Sequence, residues 1–187
     1  MLKIYLASKS PRRQELLNLM GLPFELLLKE VDESYPENLK TSEVASYISA
    51  LKANAFEPKP DGIILTADTV VIIDNEVLGK PVDEAHAFEI LKKLNGNMHE
   101  VVTAFSIVHK NEIKTYSDIT EVYFKELSDK QILHYVNTCK PYDKAGAYGI
   151  QEWMGLVAIK KIVGSYTNVM GLPTEKLYTV LQEMEIL

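Results

Sequence analysis

Lys3-Ile4-Tyr5-Leu6-Ala7-Ser8-Lys9-Ser10-Pro11-Arg12-Arg13 sets the architecture from which the rest of the chain is read. Lys3 to Ala7 reads as a short strand. The residues after it open a helix that carries Leu16, Leu17 and Met20 and stops at Gly21, with Pro23 beyond. Ser10 is suited to cap the free amides of that helix, and Pro11 fits its first position, where a missing N–H costs nothing. Unpaired amides, the positive end of the helix dipole, the hydroxyls of Ser8 and Ser10 and the cations Lys9, Arg12 and Arg13 then meet at one place. That combination suits a polyphosphate. The same residues also fit a capped surface helix with solvated arginines, so later residues have to separate the two.

Outward from there, Phe24 to Val31 alternates weakly and reads as a second strand, leading into the acidic loop Asp32-Glu33-Ser34-Tyr35-Pro36-Glu37. Carboxylates in such a loop either face water or hold a hard divalent cation. A helix starting at Thr41 or Ser42 carries Val44, Ile48, Leu51 and Ala55 on one stripe, with Lys52 beside it. That ammonium either snorkels to water or meets a phosphate. Gly62 to Ile73 is almost continuously apolar, as a strand buried on both faces should be, yet Asp68 stands in its middle. A buried carboxylate without a partner costs several kcal/mol, so Asp68 has to be hydrogen-bonded, paired or metal-bound. The neighbouring Thr66 and Thr69 are expected to bring their hydroxyls to the same place.

Asp74-Asn75 has the composition of a tight hairpin turn, returning as Glu76-Val77-Leu78 and ending at Gly79-Lys80-Pro81, a constrained segment that suits a lysine held in one position. Asp83 caps a helix with Ala87, Ile90, Leu91 and Leu94 inward. Val101 to His109 and Ile113 to Phe124, joined by Lys110-Asn111, read as an antiparallel pair. Ser128 to Gln131 forms a capping box for a helix through Ile132, Leu133 and Val136. Pro141 to Gln151 reads as a polar, glycine-rich loop with side chains too small for a core, whose backbone can approach a ligand and whose Gln151 can pair with the amide edge of a base. Leu156 to Val163 reads as a strand, Gly164 to Asn168 as a turn, and Pro173 opens a last helix through Leu177, Val180 and Leu181. Strands and helices interleave without a linker or repeat, which predicts a mixed α/β sheet with helices packed around it.

The chain has 187 residues, 47% hydrophobic and 25% charged, enough for one large domain or two lobes. No stretch approaches the ~20 apolar residues of a membrane span, and the expected location is cytoplasmic. A net charge of -6 argues against a general nucleic-acid or anionic-membrane binder. The single cysteine, Cys139, has no partner for a disulfide or a zinc cluster, and the scattered His86, His99, His109 and His134 lack zinc spacing.

LAS-x-SPRR at Leu6 to Arg13, the ADT of Ala67 to Thr69, the GKP of Gly79 to Pro81, DKAGAYGIQ at Asp143 to Gln151 and GSYTNVMGLP at Gly164 to Pro173 together resemble the Maf family, the septum-formation-inhibitor-like proteins. The resemblance covers essentially the whole chain. It implies one domain over residues 1–187 with two lobes around one cleft, in an elongated mixed α/β fold similar to inosine triphosphate pyrophosphatases. It also implies hydrolysis between the α- and β-phosphates of a nucleoside triphosphate with a divalent metal, Mg²⁺ or Mn²⁺, and a homodimer. The DKAGAYGIQ form is similar to the dTTP/UTP-preferring branch, with modified pyrimidine nucleotides as further substrates. By motif, Asp68 matches the catalytic acceptor, and Arg12, Thr69 and Gln151 match the specificity positions. Glu152-Trp153-Met154 departs from the small, glycine-containing step usual after that glutamine.

Residue reading and resemblance combine into one expectation. Lys52, Lys80, Arg12 and Arg13, with Ser8, hold the triphosphate; Glu33 and Asp68 hold the metal; Asp68 activates water, directly or through the metal; and Thr69 and Gln151 read the pyrimidine. The rival reading is a nucleotide-binding regulator that restrains septum formation through a protein partner. A kinase-like or phosphatase reading lacks both GxxxxGK[ST] and a DxD pair.

Overall fold

The computed structural model describes residues 2–187. In chain order its elements are β1 (Lys3–Leu6), α1 (Pro11–Leu19), β2 (Phe24–Leu26), α2 (Val44–Asn54), β3 (Gly62–Ile73), β4 (Glu76–Leu78), α3 (Glu84–Leu94), β5 (Met98–His109), β6 (Glu112–Phe124), α4 (Asp129–Cys139), α5 (Trp153–Val157), β7 (Ile159–Val163), α6 (Tyr166–Met170) and α7 (Thr174–Glu183), with 3₁₀ turns at Thr41–Glu43 and Ala145–Ala147. The seven strands form one sheet in the order β2-β1-β3-β5-β6-β7, with β4 on β3. β1 runs parallel to β2 and β3, while β4 and β7 pair antiparallel with β3 and β6. The expected mixed α/β sheet is therefore present. No helix among the described residues is long and apolar enough to cross a membrane.

The chain divides into two compact units. The first comprises the residues up to Thr69, Thr103–Asp118 and Gly171–Leu187; the second comprises Val70–Val102 and Ile119–Met170. In the first unit Ile4 and Leu6 of β1 and Leu16 and Leu17 of α1 are buried, as the alternation and the helical spacing require. β1 pairs with β3 from Lys3↔Gly62 to Leu6↔Leu65, and a Cβ on Gly62 would lie 2.3 Å from the Lys3 carbonyl oxygen, so this pairing needs a glycine. β2 is much shorter than the expected strand from Phe24 to Val31. Its partner among the described residues, β1, stops at Leu6 before α1, and beyond the bond from Leu27 N to Leu6 O the strand has no ladder to continue along.

In the second unit the β3–β4 hairpin turns at Asp74 and Asn75, both at positive φ (51° and 59°), the backbone that a two-residue turn of primed type demands. α3 is capped by Asp83, whose Oδ1 accepts from His86 N at 2.8 Å, and α4 carries the expected capping box between Ser128 and Gln131. Ile132, Tyr135 and Val136 of α4 are buried, and Leu133 is exposed.

Three further expectations are corrected. The segment after Pro141, expected to be too small in its side chains for a core, is part of one: Gly146, Ala147, Tyr148, Gly149 and Ile150 are buried, because small residues let the backbone cross the interior and Gly146 (φ 69°) comes so close to Val71 that an added Cβ would lie 2.7 Å from its Cγ2. Leu156 and Val157 belong to α5, not to a strand, since Gly155 lets the chain tighten against the Ile150 carbonyl; the strand begins at Ile159. Gly164 to Asn168 is not a simple turn, because Ser165 Oγ accepts from Asn168 N at 3.3 Å and starts α6.

Candidate active site

α2 lies along β3 so that matching positions meet. Buried Ser49 bonds Thr66, Oγ to Oγ1 at 3.3 Å, and also Ser106 Oγ at 2.9 Å; Thr66 Oγ1 donates to the Ser49 carbonyl at 2.8 Å. One helical turn on from Ser49 is Lys52, and two strand residues on from Thr66 is Asp68, so the same alignment brings ammonium and carboxylate together. Lys52 Nζ donates to Asp68 Oδ1 at 2.9 Å and pairs with Glu33 Oε1 at 3.0 Å. Asp68 is 9% exposed, which answers the sequence anomaly: its charge is matched by a lysine from the neighbouring helix. Asp68 Oδ2 takes no hydrogen bond among the described residues. Glu33 reaches in from the irregular acidic loop, where Asp32 Oδ1 accepts from Ser34 N at 3.0 Å and bends the chain around it.

Arg13, on the first turn of α1, is buried. Nε donates to Gly171 O at 2.8 Å, Nη1 to Ser8 Oγ at 3.1 Å and Nη2 to Thr69 Oγ1 at 3.1 Å. All three acceptors are neutral. Burial pulls the guanidinium pKa down, and the charge of Asp68 pulls it partly back. Ser8 Oγ also accepts from Ser10 N at 3.2 Å, and Ser10 itself makes no side-chain cap to α1, contrary to expectation. Arg12 is half-buried one residue before Arg13. Thr69 does not join Thr66. Strand alternation turns it away from Thr66 and Asp68, toward Arg13 and toward Thr103, whose Oγ1 is 2.9 Å away.

The first unit thus gathers Ser8, Arg13 and Thr69 in one group and Glu33, Lys52 and Asp68 in another. Lys80 and Gln151 belong to the second unit, and both are exposed. There the GKP and DKAGAYGIQ segments are joined by a backbone bond from Gly146 N to Gly79 O at 3.2 Å. A second lysine cluster lies beside Gln151: Lys144 Nζ pairs with Asp143 Oδ1 at 2.7 Å and Glu152 Oε1 at 3.0 Å, and Tyr135 donates its hydroxyl to Glu152 Oε2 at 2.5 Å. Ser49, Thr103 and Gly171 were not singled out from the sequence. Gly171 carried a signal, its place in the GSYTNVMGLP motif before Leu172-Pro173, and the structure holds it at positive φ (118°); the hydroxyls carried none. Cys139 fits an inert thiol, since burial and the charge of Glu152 raise its pKa.

Among the described residues no three His, Cys, Asp or Glu side chains gather as a metal cluster. The donor set of Glu33 and Asp68, with oxygens converging on one cation, still fits a hard divalent ion, which is commonly held by one or two carboxylates together with substrate phosphates.

A family model described as Maf-like protein matches residues 3–184. The chain belongs to the Maf-like family. Among its Maf-like relatives, the dTTP/UTP pyrophosphatase of Flavobacterium johnsoniae is 49% identical over 181 residues, covering 96% of this chain and 93% of that one. The dTTP/UTP pyrophosphatase of Thermosipho africanus is 48% identical over 180 residues, covering 96% and 92%. A HAM1 protein from Coxiella burnetii has a similar structure, with a TM-score of 0.52 at 18% identity over 98% of this chain and 100% of that one; that likeness concerns the fold of the Maf-like chain alone.

Proposed function

We propose that this Maf-like chain is a nucleoside triphosphate pyrophosphatase that cleaves the α–β phosphate bond of dTTP and UTP, giving the nucleoside monophosphate and pyrophosphate. Relatives that are nearly half identical over almost the whole chain carry that activity in their names. The observation that carries the reading is the carboxylate of Asp68, set in a buried strand with one oxygen on Lys52 and the other unbonded among the described residues.

Ser8 and Thr69 hold the Arg13 guanidinium in place, and Arg12 and Arg13 are the cations for the phosphates. Asp68 is the group that takes the proton of the attacking water as that water bonds to phosphorus and the bridging P–O bond breaks. Lys52, freed from Asp68 and Glu33 as substrate binds, stabilises charge on the leaving pyrophosphate. Glu33 and Asp68 are the side chains that would hold Mg²⁺ or Mn²⁺, which when bound neutralises phosphate oxygens and lowers the pKa of its water. Lys80 and Gln151 keep the roles their motifs imply, a phosphate cation and the reader of the pyrimidine edge, and Arg12 and Thr69 keep theirs as the other specificity positions. The resemblance also supports a homodimer, checked by sedimentation, working on the cytoplasmic nucleotide pool.

Pyrophosphate release from dTTP, UTP, CTP and GTP with Mg²⁺ or Mn²⁺, run beside Asp68→Asn, tests the proposal. Release from dTTP and UTP that the variant lacks is the expected result. No release from either nucleotide by the unaltered protein would refute it.

A further inference from the structure

Gln151 is exposed, but the chain on both sides of it is held. Ile150 before it is buried, and Glu152 after it uses both carboxylate oxygens inside the second unit: Oε2 accepts from the fully buried Tyr135 at 2.5 Å and Oε1 pairs with Lys144, itself 8% exposed, at 3.0 Å. The Tyr135 hydroxyl in turn accepts from Gly149 N at 3.1 Å. Gly149 packs so closely on Glu152 that an added Cβ would lie 2.9 Å from its carboxyl carbon. One carboxylate therefore ties α4, Lys144 and the backbone on the N-terminal side of Gln151 to the residue on its C-terminal side.

This arrangement has no evident role in the chemistry itself. Each oxygen of Glu152 already has a protein partner, and a largely buried ion pair adds little net stability compared with apolar packing of the same volume. What it does supply is a fixed backbone beneath an exposed amide. A selecting side chain on a mobile loop loses affinity and discrimination to the entropy of ordering, and anchoring its backbone beforehand removes that loss. We infer that Glu152, through Tyr135 and Lys144, is a positioning residue that presents Gln151 for pyrimidine selection. The inference rests on the base-reading role proposed for Gln151. It also gives Glu152-Trp153-Met154, the departure noted in the sequence, a physical purpose: Trp153 stacks on Tyr135, with ring centroids 6.2 Å apart and an interplanar angle of 22°, on the same support.

The test is a double-mutant cycle in the full chain. kcat and KM for UTP, dTTP and GTP are measured for Glu152→Gln and Tyr135→Phe, each alone and combined with Gln151→Ala, with thermal melting in parallel. Each single variant is expected to lower the preference for UTP over GTP about tenfold, mainly through the KM for UTP, with kcat changed less than about threefold; in the Gln151→Ala background the further loss vanishes. Tyr135→Phe removes one hydroxyl from a buried ring, and it carries the test if Glu152→Gln does not fold. An equal loss of preference in the Gln151→Ala background, or a lower melting temperature with the preference intact, overturns the inference while leaving the pyrophosphatase standing. An unaltered protein that releases no pyrophosphate from UTP or dTTP removes the functional reading, and this inference with it.

Discussion

The two units each hold a lysine between two carboxylates, at nearly the same distances, and use it differently. Lys52 meets Asp68 and Glu33 at 2.9 and 3.0 Å; Lys144 meets Asp143 and Glu152 at 2.7 and 3.0 Å. In the second cluster each oxygen of Glu152 has a protein partner, Lys144 on Oε1 and Tyr135 on Oε2. In the first, Asp68 keeps an oxygen without a partner among the described residues, Glu33 is half exposed, and a buried guanidinium on neutral acceptors lies in the field of Asp68. Composition and distance do not distinguish a working cluster from a structural one. What distinguishes them is whether a carboxylate oxygen is left without a protein partner among the described residues.

The largest effect should come from Asp68→Asn. It keeps the shape and an acceptor for Lys52 but removes the charge, so turnover of dTTP should fall by about 10²- to 10⁴-fold with little change in melting temperature. A variant that loses stability but keeps its rate would place Asp68 with the structural cluster.

Changing the two lysines sharpens the contrast. Lys144→Met strips Glu152 of its cation but leaves it the Tyr135 hydroxyl, and should destabilise the protein by about 1–3 kcal/mol, read as a drop in denaturant midpoint with turnover kept. Lys52→Met should lose at least as much stability, because Asp68 is the more buried carboxylate, its side chain 13% exposed against 26% for Glu152, and should also lose turnover by about 10²-fold or more. Turnover that survives Lys52→Met, or that falls equally in Lys144→Met, would erase the distinction between the clusters.

His99 tests how closed the second unit is. Burial drives its pKa from 6.5 down to about 3, and the ring bonds the Tyr148 hydroxyl at 2.8 Å. The unfolded chain binds a proton near pH 6.5 that the folded chain refuses, so this contribution is complete above that pH and is lost as the pH falls toward 3. The slope is about 1.4 kcal/mol per pH unit, or about 3 kcal/mol by pH 4. His99→Gln should flatten that acid slope in urea titrations at stepped pH, and an unchanged slope would mean that water reaches the ring.

Much of this was legible because local chemistry and tertiary role agreed. Asp83, the Ser128–Gln131 box, Asp74-Asn75 and the apolar run around Asp68 each state their structure within a few residues, and the structure has them as read. The segment from Pro141 to Gln151 was misread because small polar-looking residues suggest solvent, whereas here smallness is what lets the backbone pass through the core against Val71. Ser10 looked like a cap by type, but its side chain makes no capping bond, and Ser8 Oγ takes the Ser10 amide and the Arg13 guanidinium instead. The Lys52–Asp68 pair was half visible. A carboxylate in an apolar strand announces that it needs a cation, but only the Ser49–Thr66 alignment of α2 on β3 says which one.

Glu33 should give the smallest change in stability and, for that reason, the cleanest separation of roles. Its carboxylate is half exposed on an irregular loop, and pairs of that kind are worth about 0–1 kcal/mol, so Glu33→Gln should melt within a degree or two of the unaltered protein. If its oxygen serves the metal, the Mg²⁺ concentration giving half-maximal turnover should rise about tenfold or more while the rate at saturating Mg²⁺ recovers substantially, since Asp68 and the substrate phosphates still bind the ion. An unchanged Mg²⁺ requirement would reduce Glu33 to a tether for Lys52, leaving Asp68 as the only protein carboxylate of the site and making the open cluster one residue smaller than the closed one.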